Sequence, residues 1–398
     1  MYGNLADNLV CPAVPMLLFM GVALERSGIT RGLLECLSVV LRRVPGNLAI
    51  AVLAIGIILA PSAGLVGASV ATLSLIALPT MLEKGYRIPF ATGSVAAAGT
   101  LGLILPPGLM LFFLADHLEV QLGMIFMATV IPGFVLAGLY GAYMLVRAVS
   151  DPTLAPVVPA SALTARQFTV YMIRSLALPV LLIVLVLESI ISGLATPTQS
   201  GAVGAAGAVL LMALNRSLSF RLFHKVLIAT AMMTGMVFLV VMTATIFSYV
   251  FVYLDGTGLV SNLVESMGLG RWGTLGFVLA LIFILGFFVD WIEITVIFLP
   301  ILYPALSGFD FSDYLGAPGL TMLWIAVLLS LNLQTSFLTP PFGLALFFLK
   351  GTAPPEVRME AIYRGVAPFV ALQVLGLLLV VALPALALWL PVRLYGIP

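Results

Sequence analysis

Two carboxylates stand one helical turn apart between two uncharged parts of the sequence. Asp290 and Glu293 separate residues 272–289 from residues 294–309. Side chains three positions apart share one face of a helix. Within a bilayer, each carboxylate would cost about 2.5–3.5 kcal/mol on insertion scales and would be taken as functional by default. At the mouth of a hairpin in water, both would be ordinary surface groups, and the sequence leaves these two interpretations open.

Two Pro-Pro pairs have closely similar surroundings in the two halves of the chain. Pro106-Pro107 and Pro340-Pro341 each follow a segment with Gly, Thr or Ser, and each precedes a glycine and an apolar stretch ending in Phe-Phe. Proline has no backbone N–H, and its ring clashes with the carbonyl group four residues earlier. Each pair therefore predicts a broken helix with unpaired carbonyl groups, near residues 102–103 and 336–337. Lipid cannot satisfy such groups, so they need an ion, a polar solute, water or a neighbouring helix.

The polar side chains along these segments are mainly hydroxyls and amides, namely Ser62, Ser69, Thr72, Ser94, Thr100, Asn332, Gln334, Thr335, Ser336 and Thr339. Their oxygen atoms suit small hard cations and polar solutes, but they do not pair a nucleophile with a base. The sequence also lacks the phosphate-binding loop of P-loop ATPases, the His-Glu-x-x-His zinc motif and the Gly-x-Ser-x-Gly motif. We therefore predict a protein that is not an enzyme, with no cofactor and no metal ion beyond a coupling cation.

The elements that carry these residues are predicted to be membrane helices. Of 398 residues, 62% are hydrophobic and 8% are charged, whereas soluble domains carry about 25% charged residues. Most of the long uncharged runs suit one helical crossing, which needs about 20 residues. They do not alternate like the strands of a membrane β-barrel, and the net charge of +1 gives no indication of nucleic-acid binding. The predicted class is an all-α, polytopic membrane protein.

Two uncharged runs are too long for a single crossing. Residues 44–82 and 314–349 contain 39 and 36 residues, and a helix rises about 1.5 Å per residue. Each run would span nearly twice the membrane, so each must turn, and breaker residues stand at 61–64 and 339–341. Matched breaks in the two halves of a chain point to the binding site of a transporter.

The similarity between the halves predicts the domain organisation. We expect a first membrane repeat at residues 1–150 and a second at residues 171–398. Between them, residues 151–170 begin with a Pro-, Ala- and Ser-rich stretch without periodicity, which is typical of a linker.

Several motifs resemble the large membrane subunit (the DctM-like subunit) of tripartite ATP-independent periplasmic (TRAP) transporters. The matching segments run in order from about residue 17 to 391, and they include GLVGASV (64–70), ALPTML (77–82), GTLG (99–102), GLATPT (193–198), GFFVDWIEIT (286–295) and NLQTSFLTPPFG (332–343). Each motif alone is weak, but their order over nearly the whole chain is specific. In detail the chain looks most like the branch labelled mannitol/chloroaromatic.

This resemblance implies a sodium-driven elevator with two inverted structural repeats in the bacterial inner membrane. A periplasmic solute-binding protein would deliver a carboxylate substrate, which the sequence does not identify, and a small four-helix membrane subunit would brace the scaffold. The resemblance also implies discontinuous helices and two re-entrant hairpins, near residues 61–83 and 289–308.

The same resemblance implies two sodium sites where the hairpins meet the broken helices. The residues expected at the first site are Ser62, Gly64, Thr100 and Gly102. Those expected at the second are Asp290, Gln334, Thr335 and Thr339. Pro106, Pro107, Pro340 and Pro341 would break the helices beside them.

The chain departs from the family pattern in three places, which bear on individual ligands more than on function. Gly108 follows the first Pro-Pro pair where Ser is common, Gln199 stands where Glu is common, and Pro61-Ser62 replaces Ala-Ala or Ser. Met1 also falls where the family already has one helix behind it, so we expect the chain to be about one span shorter than its relatives.

Two other kinds of transport protein remain open from the residues alone. An ion-coupled organic-anion symporter without a binding protein would share every feature derived above from composition and spacing. A channel would not need paired re-entrant breaks, although no single residue forbids one. Uptake measured with and without a binding protein distinguishes the stand-alone symporter from a transporter that needs a binding protein. A large current that is not coupled to an ion gradient would indicate a channel.

Overall fold

The described part of the protein is helical throughout, with no strand. The computed structural model describes residues 12–59, 66–157, 164–316, 319–341 and 343–396. Within these ranges every regular element is a helix, which confirms the predicted all-α class.

The described part of the first half contains seven α-helices, and a 3₁₀ turn at Leu101–Leu103 follows the fifth. They are α1 (Ala13–Arg26), α2 (Ile29–Val40), α3 (Asn47–Leu59), α4 (Val66–Glu83), α5 (Ile88–Thr100), α6 (Leu109–His117) and α7 (Leu122–Ser150). Helix α8 (Ala165–Tyr171) then begins inside the expected linker. Its start is stabilised by a capping box, in which Thr164 and Gln167 satisfy each other's backbone N–H groups.

The second half continues from α8 through a π-helical turn at Met172–Ala177. Its helices are α9 (Leu178–Ile191), α10 (Pro197–Leu214), α11 (Phe220–Tyr253), α12 (Gly256–Ser266), α13 (Gly270–Leu285), α14 (Trp291–Glu293), α15 (Leu299–Ser307), α16 (Ser312–Leu315), α17 (Thr321–Leu338), α18 (Leu344–Thr352), α19 (Met359–Ala382) and α20 (Ala385–Tyr395). A second π-helical turn, Ile294–Phe298, joins α14 to α15.

The long helices have the length and surface of membrane spans. Six apolar helices of the described chain are long enough to cross a bilayer, and α1 with α2, bent by 57°, would make a seventh. Helix α11 shows the expected surface, because large apolar side chains such as Met232 and Leu239 are more than half exposed. Apolar surface of this extent is typical of contact with lipid.

Two pairs of short apolar helices interrupt the series of spans. Helix α3 has 13 residues, or about 20 Å at the rise of an α-helix, and it contacts α4, which follows it. The second pair is α13 and the helix formed by α14 and α15. The expected hairpin limits, 61–83 and 289–308, coincide with the second helix of each pair. The first helix of each pair lies before those limits, although Pro45-Gly46 stands directly before α3 and Gly268 and Gly270 stand at the start of α13.

Most helices pack in two groups, and α11 contacts both, because it also touches α14 and the π-helical turn that follows α14. Helix α1 packs along α10 and α11, and α9 packs on α10. The short helices α3 and α4 pack instead on α5, which also contacts α19 and α17. Helix α17 lies at the centre of this second group, with 94% of its residues buried. The Pro-Pro breaks and the hairpins therefore belong to one packed body.

Two exposed ion pairs fasten segments that lie outside the spans. The Arg271 guanidinium makes two hydrogen bonds of 2.6 Å with the Asp313 carboxylate, and these bonds lower the pKa of Asp313. Arg87 lies 3.5 Å from Asp151. A hydrogen bond from Thr153, followed by the charge of Arg87, lowers the pKa of Asp151. Exposed pairs of this kind contribute little to stability, so they orient the segments rather than hold the fold.

The crossing of α5 and α19 provides a test of this packing. A side chain on Gly93 would overlap the backbone carbonyl group of Gly365. We expect Gly93→Ala to destabilise the protein by ~1–3 kcal/mol, which is typical of overpacking. The measurement is thermal unfolding in detergent. Gly138→Ala is the matched control, because nothing lies within 4 Å of its added methyl group. Equal stability of the two variants would contradict the tight crossing.

Candidate functional site

The first broken helix forms a patch of backbone oxygen atoms around Gly108. Helix α5 ends at Thr100 and α6 begins at Leu109, with a cis peptide bond between Pro106 and Pro107. The carbonyl oxygens of Gly102, Leu105 and Leu103 lie 2.8, 3.1 and 3.3 Å from the position of a Cβ atom on Gly108. The prolines cannot donate to the carbonyl groups of residues 102 and 103. The carbonyl groups that the sequence predicts to be released therefore converge on a residue without a side chain.

The second broken helix has a closely similar arrangement. Helix α17 ends at Leu338, the Pro340–Pro341 peptide bond is also cis, and α18 begins at Leu344. The carbonyl oxygens of Phe337 and Thr339 lie 2.5 and 3.0 Å from the Cβ position of Gly343. A glycine is thus required after each break, because any side chain would displace the carbonyl oxygens.

The predicted hydroxyl ligands donate to their own helices. Thr100 Oγ1 donates to the Ala97 carbonyl oxygen at 2.9 Å. In α17, Thr335 Oγ1 donates to Leu331 at 2.8 Å, and Thr339 Oγ1 donates to Thr335 at 2.7 Å. A hydroxyl that donates its hydrogen bond to the backbone keeps oxygen lone pairs that can coordinate a cation. These side chains are therefore set up as oxygen donors to a ligand.

Asp290 lies in the turn between α13 and α14, where its side chain is only partly exposed. Its Oδ1 accepts a hydrogen bond of 2.8 Å from the Trp291 backbone N–H and so caps α14. Both Asp290 and Glu293 are only partly exposed, and Trp291 between them is fully buried. The Trp291 ring packs on Phe113 of α6 at 5.7 Å. The turn therefore touches the helix that follows the first break.

The structure brings the second set of predicted residues into one region without joining all of them. Gly286, in the same turn as Asp290, packs against the hydroxyl of Ser336 on α17. Among the described residues, no hydrogen bond links Asp290 to Gln334, Thr335 or Thr339. Of the first set, Thr100 and Gly102 both lie just before the first Pro-Pro pair. Ser62 and Gly64 lie outside the described residues, as does the break at 61–64.

Gln373 and Tyr140, which the sequence did not single out, add buried polar groups to the predicted ligand Gln334. Both amide atoms of Gln334 are buried without a hydrogen-bond partner, as are Gln373 Oε1 and the Tyr140 hydroxyl. Gln373 Nε2 makes only a long contact of 3.5 Å with the Gln334 carbonyl oxygen. The Tyr140 hydroxyl lies close to the side chains of Gln373 and Thr100. This polar region therefore lies between the two breaks.

The available signal for Tyr140 and Gln373 was a polar residue within an uncharged run. Residues 120–146 and 365–392 are such runs. That signal is weak, because a polar residue on a membrane helix also occurs on faces without any function. Only the crossing of α7 and α19 with α5 and α17 shows that these side chains meet.

Comparisons with known proteins agree with the motif resemblance. The family model described as "Tripartite ATP-independent periplasmic transporter, DctM component" matches residues 1–386. The chain is 27% identical to the C4-dicarboxylate TRAP transporter large permease protein DctM of Pseudomonas aeruginosa, over 97% of this chain and 87% of that protein. It is 24% identical to the sialic acid TRAP transporter large permease protein SiaM of Vibrio cholerae, over 97% and 87%. The resemblance drawn from the motifs is confirmed.

Two further comparisons extend the range of relatives. The ectoine TRAP transporter large permease protein TeaC of Halomonas elongata is 23% identical over 95% of this chain and 85% of its own length. Among solved structures, the YdaH transporter of Alcanivorax borkumensis matches with a TM-score of 0.61 and 16% identity. The match covers 98% of this chain and 88% of that chain. At this identity the structural match shows a shared fold alone.

The unpartnered Tyr140 hydroxyl gives a stability prediction. Removing a buried hydroxyl without a partner removes only its desolvation cost, so we expect Tyr140→Phe to leave thermal stability unchanged or slightly higher. Tyr86→Phe is the matched control. The Tyr86 hydroxyl accepts from the Leu48 N–H at 3.1 Å and donates to Asn47 Oδ1 at 3.4 Å, so its loss should cost ~1 kcal/mol. A similar loss in both variants would show that the Tyr140 hydroxyl bonds a neighbour, either Gln373 or Thr100.

Proposed function

The chain belongs to the DctM component family of tripartite ATP-independent periplasmic transporters, and we propose that it is the large permease subunit of a sodium-coupled importer of an organic acid. Its place would be the bacterial inner membrane. A periplasmic solute-binding protein would deliver the substrate, and a small four-helix membrane subunit would complete the permease. Members of this family are transporter subunits and not enzymes.

One observation carries the proposal: the two matched helix breaks within one packed body. At each break, carbonyl oxygens converge on a glycine beside a cis Pro-Pro bond. Discontinuous helices of this kind form ion and substrate sites in secondary transporters. The adjacent short helix pairs and the central α17 keep these oxygens away from lipid.

A small cation suits the donors at both breaks. In the proposed sites, backbone oxygens of residues near Gly102 act with Thr100, Ser62 and Gly64 at the first break. At the second break Asp290 supplies a negative charge, and Gln334, Thr335 and Thr339 supply neutral oxygens. Hard oxygen donors of this kind favour cations such as sodium over soft metals. A bound sodium ion would also satisfy carbonyl groups that the prolines release.

A carboxylate substrate suits the helix starts that follow the breaks. Helices α6 and α18 each begin just after a Pro-Pro pair, and the first N–H groups of a helix attract anions. Curated relatives carry C4-dicarboxylates and sialic acid by name, and these substrates are carboxylates. The ectoine relative shows that substrates within the family vary. We therefore assign the class of substrate and leave its selection to the binding protein.

The two packing groups support an elevator movement. The body that contains the hairpins and the breaks would move, and the group of α1, α9, α10 and α11 would stay with the small subunit. The lipid-exposed surface of α11 agrees with a position at the edge of the protein. Because the proposed ion sites lie wholly within the moving body, they would cross the membrane with the substrate.

Uptake in proteoliposomes tests the function directly. The complete system, with binding protein and small subunit, should accumulate an organic acid only with an inward sodium gradient. We expect Asp290→Asn to raise the sodium concentration for half-maximal uptake about tenfold, or ~1.4 kcal/mol of binding free energy. Asp255→Asn is the control, because Asp255 is exposed and its positive φ of 58° is one that Asn tolerates. Uptake by the permease without the binding protein would favour a stand-alone symporter. Uptake independent of sodium would reject the proposal.

The Pro-Pro pairs give a second prediction. Replacing Pro106 and Pro107 by Ala restores the missing N–H donors, so the helix can close its hydrogen bonds. We expect no loss of stability but weaker sodium activation of uptake, and the same result for Pro340 and Pro341. The matched control is Pro368→Ala, since Pro368 lies inside α19 away from any break. Normal sodium activation in both double variants would show that the breaks are structural kinks only.

A further inference from the structure

A small cavity lies between the two packing groups, beside the first hairpin. Glu25 of α1 faces Ser69 and Thr72 of α4 across it, and Leu59 and Gly99 complete the wall. Its volume is about 10 Å³, close to the least space that one water molecule needs. A site of this size admits one water molecule or one small dehydrated ion.

Glu25 is a carboxylate in an apolar setting with few partners. It is only partly exposed, and it accepts a hydrogen bond from the Thr72 hydroxyl. No basic side chain of the described ranges forms an ion pair with it. The neighbouring Arg26 instead donates to the Lys225 carbonyl oxygen at 3.3 Å. One hydroxyl leaves most of the acceptor capacity of a carboxylate unused, and the charge of the adjacent Arg26 acts on Glu25 without an ion pair, so the negative charge is only partly compensated.

A cation held in the cavity would supply the missing positive charge. Ser69 and Thr72 stand three residues apart on α4, and side chains at this spacing share a helix face. Both line the cavity with Glu25, so a carboxylate residue and two hydroxyl residues surround the same space. A single carboxylate balances one positive charge. The donor set and the volume together indicate a monovalent cation.

We propose that Glu25, Ser69 and Thr72 form a binding site for a small monovalent cation, with sodium as the ion that the proposed function supplies. The site is separate from the two sites at the helix breaks, although Gly99 in its wall precedes Thr100. The role of this site in transport rests on the proposed function, whereas cation binding to the purified protein is independent of it. The ion lies between α1 and α4, which otherwise pack against different neighbours.

The experiment measures sodium binding by the purified full-length chain in detergent. Thermal unfolding is followed in increasing sodium chloride, with choline chloride keeping the ionic strength constant. A ligand that binds only the folded protein raises its stability as its concentration passes the dissociation constant. We expect Glu25→Gln to raise the sodium concentration for half of this effect about tenfold or more.

Two further variants complete the design. The double variant Ser69→Ala with Thr72→Val removes the hydroxyls but keeps the carboxylate, and we expect it to weaken sodium binding in the same direction. Glu265→Gln, on the exposed surface of α12, removes a carboxylate elsewhere and should titrate like the unmodified protein. Elution as a monodisperse peak in size-exclusion chromatography shows that each variant is folded.

The outcomes separate this proposal from the proposed function. A sodium titration unchanged in Glu25→Gln, together with sodium-driven uptake by the unmodified system, overturns the cation site alone. If sodium binding is unchanged in Glu25→Gln but the pH dependence of its thermal unfolding is lost, Glu25 holds a proton instead of a cation. This result also overturns the cation site. Sodium binding that weakens in Glu25→Gln while uptake needs no sodium gradient would support the site and contradict the proposed function.

Discussion

A helix that breaks inside a membrane leaves carbonyl groups that lipid cannot satisfy, and each costs several kcal/mol if it stays unpaired. The structure contains two such breaks, at Pro106-Pro107 and Pro340-Pro341. The packing of the helices around α17 follows from them. The oxygens must be shielded from lipid, so α17 is buried along almost its whole length. They must also remain close together, so glycines stand where a side chain would push them apart.

The short helix pairs provide the shielding. A hairpin that enters the membrane and turns back can cover a break without adding a full span. The second hairpin does this for α17, since Gly286 packs on Ser336 and Asn332 donates to the carbonyl oxygen of Leu279 in α13 at 2.8 Å. Trp291 extends the same hairpin to α6 through its contact with Phe113. The second hairpin thus contacts helices beside both breaks, so the two candidate ion sites lie in one packed body.

Sequence patterns predict the breaks well because their cause is local. Proline removes a donor whatever surrounds it, and the depletion of charge requires membrane helices whatever their arrangement. The start of α3 had a local signal in Pro45-Gly46, but only its packing on α5 shows that α3 forms the first hairpin with α4. The start of α8 inside the expected linker had a local signal, since Thr164 and Gln167 form a capping box. The meeting of Tyr140 with Gln373 had none, because it depends on a crossing between helices more than 200 residues apart.

The placement of negative charge also differs between the two halves, and the difference has a consequence for movement. The second hairpin carries its own carboxylates, Asp290 and Glu293, in its turn. The first hairpin falls largely within residues 44–82, which carry no charge. A cation beside it must therefore obtain a balancing carboxylate from another helix, and in the structure Glu25 of α1 occupies that position. Since α1 packs with α10 and α11, a cation held by Glu25 and Thr72 would link the two packing groups. In an elevator this link must break whenever the groups slide, so release of that cation would be tied to one end of the movement, while an ion near Asp290 could travel with its own counter-charge.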